Sequence, residues 1–296
     1  MLMLSILIPT YHYNAYPLAI QLEKQALKAN ITFELICVDD GSFSHLNIEN
    51  QKINTLTNCK FIEAKTNIGR TASRQFLAEK AQYNWLLFLD ADTIPISSNF
   101  IKNLVEYLNS NFQVVFGGIS YQDIKPSSDK LLRWYYGSER ETRSLDERLK
   151  RPYQSLISGA FTIEKNLFLS INSKFLNNAY GLDILFAHEL RLLKTSVKHI
   201  DNPVYHLGIE ESTKYLIKSK SALDTLSIML KNNIVRKNAT NLLNTYNKLS
   251  IFGIASVFGK IMQTFNTNIE KNLLGSSPNL LLFDLYRLGY FCRIHK

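Results

Sequence analysis

The sequence predicts an α/β fold, a mainly parallel sheet flanked by helices and followed by an α-helical C-terminal region. Three observations carry that expectation. Short continuous apolar runs alternate with amphipathic stretches through the first 120 residues, as in strands buried on both faces and joined through helices. The interior runs end in polar groups, Thr10, then Asp39 and Asp40, then Asp90 and Asp92, and parallel strands carry such ends to one edge, where ligands bind in open α/β sheets. After residue 211 the strand pattern stops and only helix-like segments follow.

The elements read in order as follows. Ser5 to Thr10 is a first strand, and about Pro17 to Ala29 a helix with Leu18, Leu22 and Leu27 among polar residues. Phe33 to Val38 is a second strand, ending in Asp39-Asp40-Gly41-Ser42. A short strand near Lys60 to Ala64 precedes Asn67-Ile68-Gly69-Arg70, and Thr71 to Gln82 reads as a helix. Trp85 to Leu89 is the strand around which the chain is organised, because five large apolar residues run straight into Asp90-Ala91-Asp92-Thr93. Two carboxylates at that edge are costly to desolvate without a positive partner. A hard divalent cation with a phosphate-bearing ligand would satisfy them, and a polar turn is the equal alternative. A helix at Phe100 to Leu108 and a strand at Gln113 to Phe116 complete the alternation.

Residues 121–152 are polar, with Trp134-Tyr135-Tyr136 embedded, and fit either a helix packed by its aromatics or a loop over the crevice. Ser155 to Ile163 returns to strand around Ser158-Gly159-Ala160, small residues that let a bulky ligand approach the backbone. Tyr180-Gly181-Leu182-Asp183 leads into a helix through about Lys194, with Asp183 in its first turn, where capping alone would explain a carboxylate. A strand at Val197 to Ile200 precedes Val204 to Gly208, where His206, taken alone, reads as a packed residue. Further helices fall near Ser212 to Leu230, Ala239 to Lys248, Phe252 to Phe265 and Leu280 to Cys292.

The 296 residues carry a net charge of +9, all of it after residue 211: residues 1–211 hold 22 Lys and Arg against 22 Asp and Glu, and residues 212–296 hold 12 against 3. The expected domains are therefore a balanced 1–211 and a basic helical 212–296. A basic block points to an anionic surface, membrane or nucleic acid. The aromatic, basic ending at 280–293 fits a membrane-surface helix or a helix docked on the core or on a second subunit. Cys37, Cys59 and Cys292 show no paired spacing, which suits a reducing setting. The start reads as a strand and not a signal peptide, and no apolar run approaches the roughly 18–20 residues of a membrane span.

Ile8-Pro9-Thr10-Tyr11, Val38-Asp39-Asp40-Gly41-Ser42, Asn67-Ile68-Gly69-Arg70 with Arg74, Leu89-Asp90-Ala91-Asp92, Ser158-Gly159-Ala160-Phe161 and Tyr180-Gly181-Leu182-Asp183, in that order, resemble the glycosyltransferases of family 2, over about residues 3–210. The resemblance implies a GT-A, Rossmann-like fold and an inverting, metal-dependent transfer of one sugar from a nucleoside-diphosphate sugar, UDP first among them. The acceptor would be a hydroxyl of a glycan or lipid-linked glycan. It implies that Pro9, Thr10, Tyr11, Asp39, Asp40, Asn67, Gly69, Arg70, Arg74, Asp90 and Ala91 bind the nucleotide-sugar. Ser158, Gly159, Ala160, Gly181 and Leu182 would line the donor and acceptor pocket. Asp92, with His206 as a further ligand, would hold Mn²⁺ or Mg²⁺, and Asp183 would be the catalytic base. One position departs from the family, whose members usually carry Glu where Leu182 stands. The Gln-X-X-Arg-Trp motif of processive polymer synthases is absent, which favours one transfer per binding event.

Rival readings are a nucleotide-sugar-binding protein that has lost turnover, supported by Leu182, and a nucleotidyltransferase. The latter needs a glycine-rich basic loop that Tyr11-His12-Tyr13-Asn14-Ala15 does not supply. Nucleic-acid binding rests on tail charge alone and is not expected. The expected location is the cytoplasm, peripherally on the inner face of the membrane through the basic tail.

Overall fold

The structure, a computed structural model, describes residues 2–108, 110–154, 156, 158–175 and 179–295. The chain begins with β1 (Met3–Thr10), α1 (Tyr16–Lys28), β2 (Thr32–Asp39), the short α2 (Asn47–Asn50), β3 (Cys59–Glu63), α3 (Arg70–Lys80) and β4 (Trp85–Leu89). Next come β5 (Thr93–Pro95), α4 (Phe100–Val105), β6 (Val114–Phe116), β7 (Ile119–Ser120), α5 (Leu131–Tyr136) and α6 (Leu145–Lys150). Then follow β8 (Ala160–Glu164), α7 (Lys165–Asn172), α8 (Leu182–Leu192), β9 (Val197–His199) and β10 (Val204–His206). The remainder is helical: α9 (Ser212–Lys231), α10 (Asn241–Ile251), α11 (Ala255–Thr264), α12 (Asn266–Leu273) and α13 (Leu280–Ile294).

Two compact units result. The first comprises Met1–Tyr121, Thr142–Asn178 and Glu189–Gly208, the second Gln122–Glu141, Ala179–His188 and Ile209–Lys296. The first unit holds a seven-stranded sheet in the order β3-β2-β1-β4-β8-β6-β9. β3, β2, β1 and β4 are mutually parallel, as the alternation predicts. β8 departs from that expectation, running antiparallel to both β4 and β6. It starts at Ala160, later than the expected Ser155, and Ser155 and Ile157 lie outside the described residues. All five residues of β4 are buried, which is why no polar residue interrupts it. Phe88 at its centre stacks on Phe161 of β8 at 5.1 Å and meets Phe168 of α7 at 4.5 Å. Burying a side chain of that size contributes about 3 kcal/mol.

A second, three-stranded sheet, β5-β10-β7, is absent from the sequence reading. β5 pairs antiparallel with β10, setting Thr93 opposite His206, and β10 runs parallel to β7.

The second unit is helical around Leu132, Leu216, Ile269, Leu273, Leu280, Phe283 and Tyr286, with Tyr135 and Tyr136 packed against them. The helix alternative for the aromatic stretch therefore holds, and Trp134 donates its indole N–H to the Gln122 carbonyl at 2.9 Å. α13 is docked. Phe283, Tyr286, Leu288, Phe291 and Cys292 are buried, and Arg287 lies over the Phe283 ring at 5.5 Å. Of the two alternatives for 280–293, the docked helix describes most of its apolar face, which forms the core of this unit, while Leu281 and Leu285 stay exposed. α11 approaches α13 at two glycines, since a Cβ on Gly289 would stand 2.8 Å from Met262 Cγ and one on Gly259 3.0 Å from Arg293 Cγ. No helix among the described residues is long and apolar enough to cross a membrane.

Candidate active site

β1 and β2 end in register, Thr10 opposite Asp39, with β4 on the other side of β1. The loops that leave these ends carry the predicted residues. Asp39 spends its carboxylate on its own turn: it accepts from the Ser42 N–H at 2.9 Å, the Ser42 hydroxyl at 2.6 Å and the Asn47 amide at 3.1 Å. Asp40 reaches across to the next loop and accepts from the N–H groups of Ile68 at 2.8 Å and Gly69 at 2.9 Å. Gly69 has φ +87° and leads into α3, a conformation that only glycine adopts without strain. Thr10 is buried and donates to the Tyr13 carbonyl at 3.2 Å, Pro9 precedes it in β1, and Tyr11 is exposed beside the His12 ring. Asn67 and Arg70 are exposed on the loop that Asp40 holds.

The second group gathers around Arg74. Its buried guanidinium pairs with Asp90 and donates to the Ser158 carbonyl at 3.2 Å. Burial lowers its proton affinity and the Asp90 charge opposes that effect. The Asp90 N–H donates to the Gly159 carbonyl at 2.8 Å, and the Asp90 carbonyl accepts from both the N–H and the hydroxyl of Thr93. The segment from Asp90 through buried Ala91 to Asp92 is thus a tight turn fixed to Ser158-Gly159, and Ala160 pairs with Leu89 across β8 and β4. A Cβ on Gly159 would press on Ile119 at 3.1 Å.

The third group depends on the small sheet. The Leu207 N–H donates to the Asp92 carbonyl at 2.7 Å, and His206 Nε2 stands 3.5 Å from Asp92 Oδ2. The Tyr121 ring lies 5.4 Å from the imidazole, whose Nδ1 is buried without a hydrogen-bond partner. Burial pushes the Asp92 carboxyl above the ordinary range, while His206 and Arg70 pull it back and Asp90 adds to the rise. The charge of Arg70 therefore reaches both Asp92 and Arg74, which links the three groups.

Sequence reasoning missed two participants. A Cβ on Gly208 would overlap the Asp92 carboxylate, so this glycine makes room for it. Burial, followed by the charge of Asp92, raises the Tyr13 phenol. Gly208 follows His206 by two positions in an unremarkable turn, and only the pairing of β5 with β10 reveals what it faces.

Gly181, Leu182 and Asp183 belong to the second unit. Asp183 is exposed in the first turn of α8, and Gly181, at φ +87°, would bring a Cβ within 3.2 Å of Ala222 in α9.

The family model for Glycosyl transferase family 2 matches residues 5–169, more than half of the chain. The chain belongs to glycosyl transferase family 2. An uncharacterized glycosyltransferase of Haemophilus influenzae is 29% identical to this glycosyltransferase over 301 residues, covering 99% of this chain and 98% of its own. Another from the same organism is 37% identical over 116 residues, 38% of each chain. Among solved structures, S. aureus TarS 1–349 in complex with UDP-GlcNAc is similar with a TM-score of 0.54 at 17% identity, covering 99% of this chain and 90% of that one. Glucosyl-3-phosphoglycerate synthase from Mycobacterium tuberculosis, in complex with Mg²⁺ and UDP, gives a TM-score of 0.51 at 15% identity, covering 76% and 78%. These likenesses show the GT-A fold.

The residues of this family 2 glycosyltransferase fit a divalent cation in a particular way. Asp92 offers oxygen and His206 nitrogen, 3.5 Å apart, a mixed donor pair that a divalent cation of borderline hardness such as Mn²⁺ could accept more readily than Mg²⁺. Among the described residues no group of three or more His, Cys, Asp or Glu is gathered. Such an ion would then be completed by ligand phosphates and water, the usual way such cations bind.

Proposed function

We propose that this glycosyltransferase moves one sugar, with inversion, from a UDP-sugar to a hydroxyl of a glycan or lipid-linked glycan. Residues 1–211 are its catalytic domain and 212–296 a basic helical appendage. The observation that carries the reading is the meeting of Asp92 with His206 at the edge where β1, β2 and β4 end, under the charge of Arg70.

Thr10, Asp39 and Asp40 shape the base and ribose pocket with Pro9, Tyr11, Asn67 and Gly69 around it. Arg70 offsets the charge of the diphosphate. Arg74 holds Asp90 against the Ser158 carbonyl, which leaves the other face of that carboxylate toward the ribose. Asp92 and His206 would hold a divalent cation such as Mn²⁺ or Mg²⁺, which would supply Lewis-acid stabilisation of the leaving diphosphate. Ser158, Gly159 and Ala160 keep side-chain bulk away from the donor, and Gly181 and Leu182 border the acceptor. Asp183 takes the proton of the acceptor hydroxyl at a carboxylate oxygen as the hydroxyl attacks from the face opposite the departing group, which inverts the anomeric carbon. Leu182 in place of Glu removes an acceptor contact and leaves that base. Three unpaired cysteines among the described residues agree with a cytoplasmic enzyme.

A screen of nucleotide-sugars for nucleotide release with Mn²⁺, Mg²⁺ or EDTA tests the reading, beside Asp92→Ala and Asp183→Ala. Metal-dependent release of UDP from one donor, lost in Asp92→Ala, is expected. With an acceptor present, Asp183→Ala should retain donor binding and lose transfer. Binding without turnover by the wild type, with crude glycolipid acceptors added, would replace it by a nucleotide-sugar-binding protein.

A further inference from the structure

α13 exposes only Leu281 and Leu285 among its large apolar residues, and a longer apolar stripe is present on its neighbour. α11 has two apolar faces. One, with Gly259 and Met262, packs on α13. The other carries Ile254, Val257, Ile261 and Phe265, which recur at the helical spacing of one stripe and are 47%, 57%, 51% and 53% exposed. The stripe continues onto the turn between α10 and α11, where Ile251 and Phe252 are 81% and 75% exposed. That turn is fixed rather than loose. Gly253 takes φ +70°, its N–H donates to the Ser250 carbonyl, and the Ile254 N–H returns to Leu249. The helix end therefore presents Phe252 outward by construction.

Along this stretch of the chain the charge is of one sign. Between Asp224 and Glu270 there is no acidic residue, whereas Lys231, Arg236, Lys237, Lys248 and Lys260 are all exposed there. A contiguous exposed apolar stripe marks an interaction site, and the charge around it selects the partner. A second copy of this chain would set two carboxylate-free cationic surfaces against each other. A nucleic acid would gain nothing from Ile and Phe. An anionic bilayer takes both features, the side chains into the acyl boundary and the cations among the headgroups.

We propose that the α10–α11 turn and the outer face of α11 form a membrane-docking surface for anionic lipid. Nothing in this surface depends on the donor or the acceptor of the transfer reaction.

Flotation of the full chain with phosphatidylglycerol–phosphatidylcholine vesicles tests it, with pure phosphatidylcholine vesicles as the reference. The expected result is binding to the anionic vesicles that weakens as salt rises and falls roughly tenfold or more in Phe252→Ser/Val257→Ser/Ile261→Ser. These side chains are exposed, so melting and circular dichroism should match the wild type. A separate Phe252→Trp variant should blue-shift its emission on binding. Failure of the wild type to float, equal binding by the serine variant, or a dimer that the serine variant dissociates would each overturn the proposal. Binding to DNA of the same charge density with no vesicle binding would do the same.

Discussion

Replacing Gly208 by alanine asks whether the room left beside Asp92 matters to the reaction. The new Cβ would stand 2.7 Å from Asp92 Cγ and 3.0 Å from its Cβ, where ordinary contact begins at 3.4 Å. The Oδ2 lies nearer still, so the carboxylate must swing away by about 1.5 Å or leave its rotamer, which costs about 0.5–1.5 kcal/mol. Misplacing a reacting or metal-holding group by ~1 Å costs on the order of 100-fold in rate. The expected loss of kcat/KM is thus roughly 100-fold or more, or about 2.7 kcal/mol or more in the transition state. Overpacking adds a stability cost of about 1–3 kcal/mol, a fall of roughly 2–10 °C in Tm for a chain of this size. The assay is Mn²⁺-dependent UDP release from the donor that the wild type accepts, with Tm measured on the same samples. Gly253→Ala is the control, since its Cβ would meet nothing within 4 Å and only its positive φ is strained. It should lose stability and keep activity. If Gly208→Ala retains wild-type kcat/KM and the same Mn²⁺ dependence, the contact between Gly208 and Asp92 does not set the site.

Arg148→Met should be costly to the fold: Arg148 donates to the carbonyls of Arg143, Phe116 and Ile200, so the variant takes that donor from Arg143 and Ile200, while Phe116 keeps the Ile200 N–H, and should lose about 2–4 kcal/mol in denaturant unfolding. An unchanged midpoint would refute that role. His199 accepts from Arg148 at Nδ1 and so donates Nε2–H to the Pro152 carbonyl, and burial and Arg148 hold its pKa below the ordinary 6.5. The unfolded chain then binds the proton more tightly, so stability is full above pH 6.5 and falls as pH drops from there toward the lowered folded value. His199→Gln should flatten that slope in a Tm-against-pH series, and an identical slope would refute the assignment. Arg74→Ala should leave Asp90 beside the Ser158 carbonyl without its counter-charge, with donor affinity falling at least as much as in Asp90→Asn. Isothermal titration with UDP and Mn²⁺ reads the two, and near-additive losses in the double variant would show that the pair does not act as a unit.

The strands that carry the site were legible because burial on both faces leaves an unbroken apolar run, as in Trp85 to Leu89. Their acidic ends were legible because a parallel sheet gathers them. The small sheet was not, since Thr93–Pro95, Ile119–Ser120 and Val204–His206 are too short to show a period and pair across 85 to 113 positions. The direction of β8 was hidden for a related reason, because an interior run has the same composition whichever way it points. The helical ending left two alternatives open. An aromatic, basic helix reads alike whether lipid or protein covers it, and only the small residues at its crossing, Gly259 and Gly289, record that α11 does.

The site's two ends differ in how finished they are, and this bears on what a ligand must contribute. At the end proposed for the base and ribose the protein's own groups satisfy one another. Asp39 and Asp40 bind backbone N–H groups, and Gly41, at φ +64°, lets its loop close on the next, since a Cβ there would stand 2.6 Å from Asn67 N. A pocket held this way gives up little entropy on binding. At the other end Arg70 is exposed with no ion pair among the described residues, the His206 Nδ1 is buried without a partner, and Asp92 is pushed toward its protonated form. A buried unsatisfied group such as the His206 Nδ1 costs about 1–3 kcal/mol, whereas the exposed Arg70 is solvated and open to an anion. Binding energy is then concentrated where the diphosphate and its cation would sit, the part of a nucleotide-sugar whose charge grows as the sugar departs.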